Sequence, residues 1–259
     1  MIRGLYTSGW SLMANSKKMD VISNNLANAD TNGYKEDIAV LETFPEKLTR
    51  RINDTQSRSN PSGRIGNMRL GSDVNEIFTN YSQGKIQSTG NNLDFAIQNS
   101  NSAFFTIGRP DENGNIQEYY SRDGAFVINS LNQLVTKDGF YVMGQNGPIT
   151  LDGDNFTVQS DGTIVQDGVV VDKFRITEFT DTRSLQKAGN NLVQRDPTSE
   201  ERPFTGAISQ GYLEGSNINV VKEMVDMITV MRSYEANQRL VQAQDSTLEK
   251  AVNQVGSVR

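Results

Sequence analysis

The sequence predicts an α+β chain in which N- and C-terminal helices, forming a coiled-coil-like pair, enclose an extended arm and a central all-β domain. Three observations support this fold class. Apolar residues recur every seven positions at both ends, Asn-Gly and Asp-Gly dipeptides are dense in the middle, and an Arg-, Asn-, Ser- and Gly-rich stretch lies between them. We divide the chain into residues 1–35 (helix and turn), 36–90 (arm), 91–205 (β domain) and 206–259 (C-terminal helix).

An apolar stripe predicts the first helix, from about Ile2 to Asn28. The residues at seven-residue spacing are Leu5, Leu12, Met19 and Leu26. The helix is expected to end at the turn sequence Asp30-Thr31-Asn32-Gly33, where Gly33 can take a positive φ. An ordinary core helix and a helix that packs on another helix both fit this stripe.

The last segment, from about Asn217 to Val255, carries six apolar positions at the same spacing: Val220, Met227, Tyr234, Val241, Leu248 and Val255. A sustained seven-residue period is typical of coiled coils. Met224, Met231 and Val252 are expected to fill the other seam position, which Gln238 and Asp245 interrupt. At about 1.5 Å per residue the helix is on the order of 60 Å long, so part of it should pack outside the chain's own core.

The two stripes together form the predicted subunit-packing set. Its members are Leu5, Leu12, Met19, Leu26, Val220, Met227, Tyr234, Val241 and Leu248.

The middle of the chain alternates turn dipeptides with short strand-like runs. Dense turns between β-branched and aromatic residues indicate hairpins, hence an all-β sandwich or irregular barrel. The predicted strands are Phe104–Ile107, Ala125–Ile128, Gln133–Val135, Phe140–Met143, Phe156–Gln159, Thr163–Val165 and Phe174–Phe179.

The arm is expected to be extended and partly disordered in the monomer, because Thr49–Gly71 can bury little apolar surface. This stretch contains five Arg residues. A solvated loop and a docking surface for an acidic neighbour both fit them.

Composition excludes several kinds of function. The chain has no Cys and no His, which removes disulfides, zinc sites and Ser-His-Asp chemistry. The net charge is −6 and no basic stripe is present, so a nucleic-acid partner is not expected. No apolar stretch is long enough to insert in a membrane, and the N-terminus lacks the pattern of a cleaved secretory signal.

Candidate catalytic and metal sites are weak. Most carboxylates lie in Asp-Gly turns, where they cap their own backbone. The segment Asp111–Asn115 resembles a calcium loop only faintly, because the Gly and Glu required later in such a loop are missing. Nucleotide-binding and nucleophile-elbow motifs are also missing. We therefore expect no enzyme activity and no catalytic, cofactor-binding or metal site.

Asparagines crowd the end of the first helix: Asn24, Asn25 and Asn28, followed by Asn32 and Gly33. Helix capping explains them locally. They also fit a polar junction between helix and arm, fixed by side-chain hydrogen bonds and reused between subunits.

These asparagines belong to segments that resemble bacterial flagellar rod and hook proteins. The N-terminal signature is matched by Asp20–Asn28 and Asn32–Lys35, and the C-terminal signature by Gly211–Val221, Glu223–Val225 and Tyr234–Asn237. Gly84, Thr89–Ile97 and Tyr120–Phe126 are similar to basal-body rod proteins of the FlgG and FlgF type, a group that includes Gram-positive hook-basal body proteins. Asn92 departs from the Pro often found in this motif. The match adds Asn217, Glu235 and Asn237 to the junction and motif residues.

The resemblance implies a self-assembling structural subunit of the flagellar rod, of the distal type, that transmits torque to the hook. A proximal rod protein and a hook-basal body paralogue are the alternatives. It implies helices in an inner tube, an arm that contacts neighbouring subunits and a β domain that faces outward. The implied partners are copies of the chain, other rod and hook proteins and the flagellar type III export apparatus. The implied location is the periplasmic or cell-wall-spanning basal body, reached without a cleaved signal.

Two other functions fit parts of the sequence. A glycan-binding β module would need exposed aromatic residues, for which Tyr119, Tyr120, Phe140 and Tyr141 are the candidates. A cell-wall hydrolase would need a pair of carboxylates in the β domain.

Overall fold

The structure, a computed structural model, describes residues 2–50, 64–111, 114–153 and 155–255. The expectations for residues 51–63, and for the part of the calcium-like loop at 112–113, fall outside the described residues. The chain divides into two compact units, which we call the helical unit and the β unit. The helical unit comprises Met1–Leu26, Asp37–Phe78 and Val220–Arg259, and the β unit comprises Ala27–Glu36 and Thr79–Asn219.

Two long helices dominate the helical unit. They are α1 (Ile2–Ala27) and α2 (Val220–Lys250), and a short π-helical turn, Ala251–Val255, follows α2. The arm contributes strands β1 (Asp37–Thr43), β2 (Lys47–Arg50), β3 (Arg64–Met68) and β4 (Ser72–Thr79). The predicted N-terminal helix, β-rich centre and C-terminal helix are confirmed.

Among the described residues, α1 and α2 approach each other at three places: Gly4 near the Gln244 side chain, and the hydrogen-bonded pairs Asn15–Ser233 and Asn25–Glu223. The position on α2 falls as the position on α1 rises, so the helices run antiparallel. At the first place the approach is close, because a Cβ on Gly4 would lie 2.4 Å from Gln244 Nε2.

The more covered face of α2 follows an alternating spacing of three and four residues. Its members are Val220, Glu223, Met227, Val230, Tyr234, Asn237, Val241, Gln244 and Leu248. Met224, Met231 and Val252 are exposed, so the expectation that they fill the second seam position is wrong. Glu223, Val230, Asn237 and Gln244 occupy the second seam position instead. The polar residue Glu223 is accommodated there because Asn25 on α1 donates to it.

The arm packs on α1 through one aromatic and one charged contact. The rings of Trp10 and Phe44 meet edge to face, with 4.9 Å between centroids. Lys17 forms an ion pair with Asp73 at 3.0 Å. Within the arm, β1 pairs with β4 and β2 pairs with β3.

The β unit contains the remaining strands. They are β5 (Ile86–Ser88), β6 (Phe95–Gln98), β7 (Ala103–Pro110), β8 (Ile116–Ser121), β9 (Phe126–Ile128), β10 (Leu134–Thr136), β11 (Tyr141–Val142), β12 (Phe156–Val158), β13 (Thr163–Gln166), β14 (Val169–Lys173), β15 (Ile176–Phe179), β16 (Leu185–Gly189), β17 (Leu192–Arg195), β18 (Glu201–Arg202), β19 (Ala207–Gln210) and β20 (Tyr212–Glu214).

The largest sheet has the strand order β16-β17-β8-β7-β11-β10-β9, and β15 joins it by pairing with β7 and β18. A second sheet has the order β12-β13-β14, and two strand pairs, β19-β6 and β20-β5, complete the unit. The described pairings are antiparallel, as hairpins joined by short turns require.

Strand β7 is covered on both faces, because successive side chains of a strand point to opposite sides. Phe105 lies in one apolar cluster with Phe95, Phe126 and other buried residues. Its neighbour Phe104 lies in the second cluster, which contains Tyr81, Tyr120, Phe179, Leu185 and Val193. These two clusters form the core of the β unit.

Tyr120 lies in the second cluster with its side chain fully buried. Its hydroxyl has no hydrogen-bond partner among the described residues, and burial raises the pKa of this phenol. An unpaired buried hydroxyl is destabilising. We therefore expect Tyr120→Phe to leave the free energy of unfolding unchanged, or to raise it by up to about 1 kcal/mol, in urea denaturation.

The matched control is Thr106→Val, on the neighbouring strand. The buried Thr106 hydroxyl lies 3.2 Å from the Thr177 hydroxyl, so its removal leaves Thr177 unpaired and should cost about 1–3 kcal/mol. Equal losses in the two variants would contradict the assignment of the Tyr120 hydroxyl as unpaired.

Two of the predicted Asp-Gly turns connect the strands of the second sheet as hairpins. Asp161-Gly162 connects β12 and β13, and Asp167-Gly168 connects β13 and β14 with a positive φ at both residues (52° and 79°). This is the backbone of a type I′ turn, which favours these residue types.

Asp161 holds its turn together through the Thr163 hydroxyl and amide and through Lys173 Nζ. These donors lower its pKa from 3.8 to about 2. Because the folded pKa is depressed, the contribution to stability is present above pH 3.8 and is lost as pH falls through about 2. We expect Thr163→Val to raise the pKa of Asp161 towards 3.8, measured by NMR titration of its carboxyl carbon. An unchanged titration midpoint would refute this role of Thr163.

Candidate functional site

Three buried charged side chains meet in the β unit, and we call them the buried triad: Lys35, Arg122 and Glu214. Glu214 accepts from Lys35 Nζ through Oε1 at 2.6 Å and from Arg122 Nε through Oε2 at 2.6 Å. The remaining guanidinium nitrogens of Arg122 donate to the backbone carbonyls of Ala103 and Ser100. One carboxylate thus pairs with two cations away from water, and removal of one partner from such an arrangement is strongly destabilising.

Lys35 completes its hydrogen bonding with the carbonyl of Ser82 at 2.7 Å. Burial lowers the pKa of Lys35 below its usual value, although Glu214 acts in the opposite direction. The ammonium is therefore held by direct contacts in a place that disfavours its charge.

Two glycines let the backbone approach the triad. The Gly33 amide donates to the Glu214 carbonyl at 2.7 Å, and the Gly84 amide donates to Glu214 Oε1 at 2.8 Å. A Cβ on Gly33 would lie 2.5 Å from the Asp123 nitrogen, and a Cβ on Gly84 would lie 2.0 Å from the Gly215 carbonyl oxygen. Any other residue at either position would clash with backbone.

Asn217 extends the same network. Its Nδ2 donates to the Asn80 carbonyl at 2.8 Å and to Ser82, and its Oδ1 accepts from the Glu36 amide at 2.8 Å. The backbone N–H of Asn80 in turn donates to the Glu36 carbonyl at 2.8 Å. The predicted junction residue Asn217 therefore connects the segment that follows α1 with the segment that precedes α2.

Asn25 organises the corresponding place in the helical unit. It is buried, its Nδ2 donates to the Asp37 carbonyl at 2.8 Å, and its Oδ1 accepts from the Asp37 amide at 3.0 Å. This reciprocal pair imitates a strand pairing and fixes the start of β1 against α1. The third contact, to Glu223 Oε2 at 3.3 Å, adds α2.

The other predicted motif residues have more local positions. Asn28 Oδ1 accepts from the Thr31 hydroxyl at 3.3 Å, a helix-end turn, and the Asn32 carbonyl accepts from Asn191 at 2.7 Å. Asn24 and Glu235 are exposed and Asn237 is half-buried. Asn28, Asn32, Gly33 and Asn217 thus lie in the β unit, whereas Asn24, Asn25, Glu235 and Asn237 lie on the two helices.

Sequence reasoning missed the buried triad. Lys35, Arg122 and Glu214 all lie in the segments that resemble the rod proteins, but the sequence pattern assigns no role to any of them. Arg122 carried a usable signal, because it lies between the aromatic pair Tyr119-Tyr120 and the turn Asp123-Gly124. A cation in such an apolar segment is expected to be buried and therefore to need a charged partner.

The nine predicted subunit-packing residues are half-buried within the single chain. A second apolar face of α2 is exposed, and we call it the outer face: Val221, Met224, Val225, Ile228 and Met231. At about 100° per residue, the outer face and the covered face lie roughly 130° apart around the helix. A contiguous exposed apolar patch of this kind marks an interaction surface.

Three of the four candidate aromatic residues for glycan binding make contacts within the chain. Tyr120, one of the four glycan-binding candidates, is part of the core, and Arg109 lies over the rings of Tyr119 and Phe140 at 5.9 and 5.4 Å. Within the described ranges no three acidic residues cluster as metal ligands. Also among the described residues, no helix has the length and apolar character needed to cross a membrane.

Three family profiles match the chain. The profile "Flagella basal body rod protein" covers residues 5–35, "Flagellar hook protein FlgE/F/G D1 domain" covers 96–171, and "Flagellar basal body rod FlgEFG protein C-terminal" covers 209–255.

Curated relatives match over their full length. The chain is 35% identical over 267 residues to the flagellar basal-body rod protein FlgG of Buchnera aphidicola subsp. Acyrthosiphon pisum, covering 96% of this chain and 98% of the relative. It is 30% identical to the flagellar hook-basal body complex protein FlhO of Bacillus subtilis over 100% of both chains, and 32% identical to FlgG of the same organism over 98% and 99%. The chain belongs to the flagellar basal-body rod and hook protein family.

The three residues of the buried triad lie in three different family profiles. Lys35 lies in the range of the N-terminal rod profile, Arg122 in that of the D1 profile and Glu214 in that of the C-terminal profile. The triad therefore joins all three matched segments in one ionic contact, which is a structural role suited to a flagellar rod protein.

Proposed function

We propose that this chain is a structural subunit of the flagellar basal-body rod, of the distal type, that assembles with copies of itself into the axial tube that transmits torque to the hook. The single observation that carries this proposal beyond family membership is the outer face of α2. A helix that already packs on α1 through one stripe presents a second stripe to a neighbour.

The outer face supports polymerisation because it can pack against a different surface of the neighbouring copy. A contact between two different surfaces of identical chains, if it does not close into a ring, generates a filament. We further propose that α1 and α2 form a coiled-coil-like pair and that the half-buried stripe residues, such as Leu12 and Met227, also reach neighbouring subunits. Coiled-coil packing requires the alternating spacing that the covered face of α2 displays.

The buried network supports a mechanical role. The chain passes between the two units at 26/27, 36/37, 78/79 and 219/220. The network in the β unit ties together segments beside three of these passages, through Lys35 and Glu36 at 36/37, Asn80 and Ser82 at 78/79, and Glu214 and Asn217 at 219/220. Hydrogen bonds and ion pairs hold these segments together where force would enter the β unit, which suits torque transmission.

The proposed partners are copies of the chain, other rod and hook proteins and the flagellar type III export apparatus. The proposed location is the basal body, reached by that apparatus without a cleaved signal. We propose no enzymatic activity, nucleic-acid binding or membrane insertion. A hook-basal body paralogue is a second candidate, because the match to FlhO covers both chains completely.

A deletion strain of the source bacterium tests the proposal. We expect loss of motility and basal bodies that stop before the hook. A halt after the proximal rod supports the distal assignment, whereas a halt before it assigns the chain to the proximal rod. Motile cells with complete basal bodies would overturn the rod function.

Complementation tests the outer face. Ile228 is 52% exposed, so Ile228→Glu should fold but introduce an unpaired charge into the proposed interface, and motility should not return. Thr229→Glu is the matched control, because Thr229 is exposed on the same helix but outside both stripes. Restored motility with Ile228→Glu would exclude the outer face as an assembly surface.

A further inference from the structure

The three described contacts between α1 and α2 share one alignment, and we call them the register contacts. They are Gly4 with Gln244, Asn15 with Ser233 and Asn25 with Glu223. The residue numbers of each pair add up to 248, so successive contacts are 11 and then 10 residues apart on both helices. This spacing is about three helical turns. The two helices therefore keep one antiparallel alignment along almost the whole length of α1.

The apolar stripe of α2 does not define this alignment by itself. Its members, from Val220 to Leu248, repeat every seven residues, so a shift of α2 by seven residues along α1 brings one apolar side chain to the place of another. Such a shift displaces the helices by about 10 Å. In coiled coils a polar residue in the seam specifies the register, at a cost in stability.

The register contacts do not repeat every seven residues, so a shift of seven residues breaks them. If α2 shifts so that the paired numbers add up to 255, Asn25 comes to the level of Val230. Glu223, which is 4% exposed, then loses Asn25 as a hydrogen-bond donor, because its level lies beyond Ala27 at the end of α1. The loss of a hydrogen-bond donor by a buried charge is unfavourable, so this shifted alignment is disfavoured.

Gly4 and Gln244 add a steric contact to the two hydrogen-bonded ones. A Cβ on Gly4 would lie 2.4 Å from Gln244 Nε2, so the Gln244 side chain occupies space that only a glycine leaves open. Gln244 Oε1 is buried and has no hydrogen-bond partner among the described residues, which costs stability. A polar residue in the seam at such a cost is typical of one that specifies register.

The sizes of the buried side chains agree with the same alignment. Ala14 and Val21 are buried on α1. The constant sum of 248 places Ala14 at the level of Tyr234 and Val21 at the level of Met227. Small side chains of α1 thus lie at the levels of large ones on α2, as interdigitated packing requires.

We propose that the register contacts select the alignment of α1 and α2, with Glu223 and Gln244 as the specificity-determining residues of α2, whereas the apolar stripes supply the affinity. This role rests on the proposed self-assembly. In a shifted chain the outer face of α2 would lie about 10 Å from its place along α1. Copies with mixed registers would then present different surfaces, and a regular filament requires the same contact from every copy.

Disulfide reporters measure the register directly, because the chain has no native Cys. Asn15→Cys with Ser233→Cys reports the alignment of the structure. Asn15→Cys with Leu240→Cys reports the alignment shifted by seven residues, since positions 233 and 240 lie on the same side of α2. Each pair is oxidised in concentrated purified protein and in basal bodies from complemented cells. Chains that migrate as monomers without reductant are then mapped by mass spectrometry, so that links within one chain are counted.

Glu223→Leu combined with Gln244→Leu should change the register. We expect the link of the native reporter to fall several-fold and the link of the shifted reporter to rise several-fold, because an apolar seam accepts both alignments. Glu223→Gln keeps an acceptor for Asn25 and should retain the native link. Gln242→Leu combined with Glu249→Leu is the matched control, because it makes the same two replacements at exposed positions of α2 and should leave both yields unchanged.

An unchanged ratio of the two links in the Glu223→Leu and Gln244→Leu variant would overturn the proposal, and so would an equal change in the matched control. Loss of both links in that variant would show that the polar residues supply affinity, which also contradicts the proposal. No link from either reporter in both preparations of the otherwise unchanged chain would exclude the alignment itself. Purified protein gives its result without motility, so a motile deletion strain would overturn the rod function and leave the register assignment standing.

Discussion

Glu214→Gln should destabilise the β unit by about 3–5 kcal/mol, because it leaves two buried cations without their shared carboxylate. Glu214 accepts from Lys35 and Arg122 at 2.6 Å each, and all three side chains are buried. The substitution keeps the shape of the side chain and an oxygen acceptor. The loss is therefore assigned to charge and not to packing.

The measurement should report on the β unit alone, since a chain of two units need not unfold in one step. Hydrogen exchange of peptides from β7 and β8 provides this, because Arg122 follows β8 and donates to the backbone at Ala103 in β7. Protection of these strands should fall strongly in Glu214→Gln, whereas peptides of α2 should report a smaller change.

Glu118→Gln is the matched control. Glu118 pairs with Arg175 at 2.6 Å, but both side chains are partly exposed, and ion pairs of this kind contribute about 0–1 kcal/mol. A loss in Glu214→Gln no larger than in Glu118→Gln would contradict the buried triad as a stabilising contact. A double substitution with Lys35→Met should recover part of the loss, since one uncompensated cation is then removed.

The helices were the most predictable part of the chain, because a helical face repeats in sequence. The stripe through Leu12 and Met19 predicted α1 almost to its ends, and Asp-Gly dipeptides predicted the hairpins of the β unit. The sequence pattern predicts Met224 and Met231 at the second seam of α2 because both are apolar, but both side chains are exposed. Glu223 lies inward instead, since Asn25 satisfies it.

The buried triad could not be derived in the same way. Glu214 is 179 positions from Lys35 and 92 from Arg122, so no local period relates them. Their meeting depends on the pairing of β20 with β5 and of β7 with β8, which single-sequence patterns do not define. The cluster of asparagines is visible in the sequence, but their individual partners depend on the same pairings.

Gly33→Ala should destabilise the β unit by about 2–4 kcal/mol, for two separable reasons. Gly33 has a φ of +66°, a region where Ala costs roughly 1 kcal/mol. In addition, a Cβ would lie 2.5 Å from the Asp123 nitrogen and 2.8 Å from the Arg122 carbonyl oxygen. Backbone cannot move away as a flexible side chain can, so the overpacking cost of about 1–3 kcal/mol applies.

Gly90→Ala separates these two costs. Gly90 has a similar φ of +71°, but a Cβ there meets nothing within 4 Å. It should lose only the conformational part, about 1 kcal/mol, in the same urea denaturation and hydrogen-exchange measurements. The difference between the two variants then gives the clash alone, and equal losses would show that the segment around Gly33 can move. Such movement would lengthen the 2.7 Å bond from the Gly33 amide to the Glu214 carbonyl and loosen the triad. A second consequence therefore follows from the clash: Gly33→Ala, but not Gly90→Ala, should make the cost of Glu214→Gln smaller in the double variant, because the two substitutions disturb one shared contact.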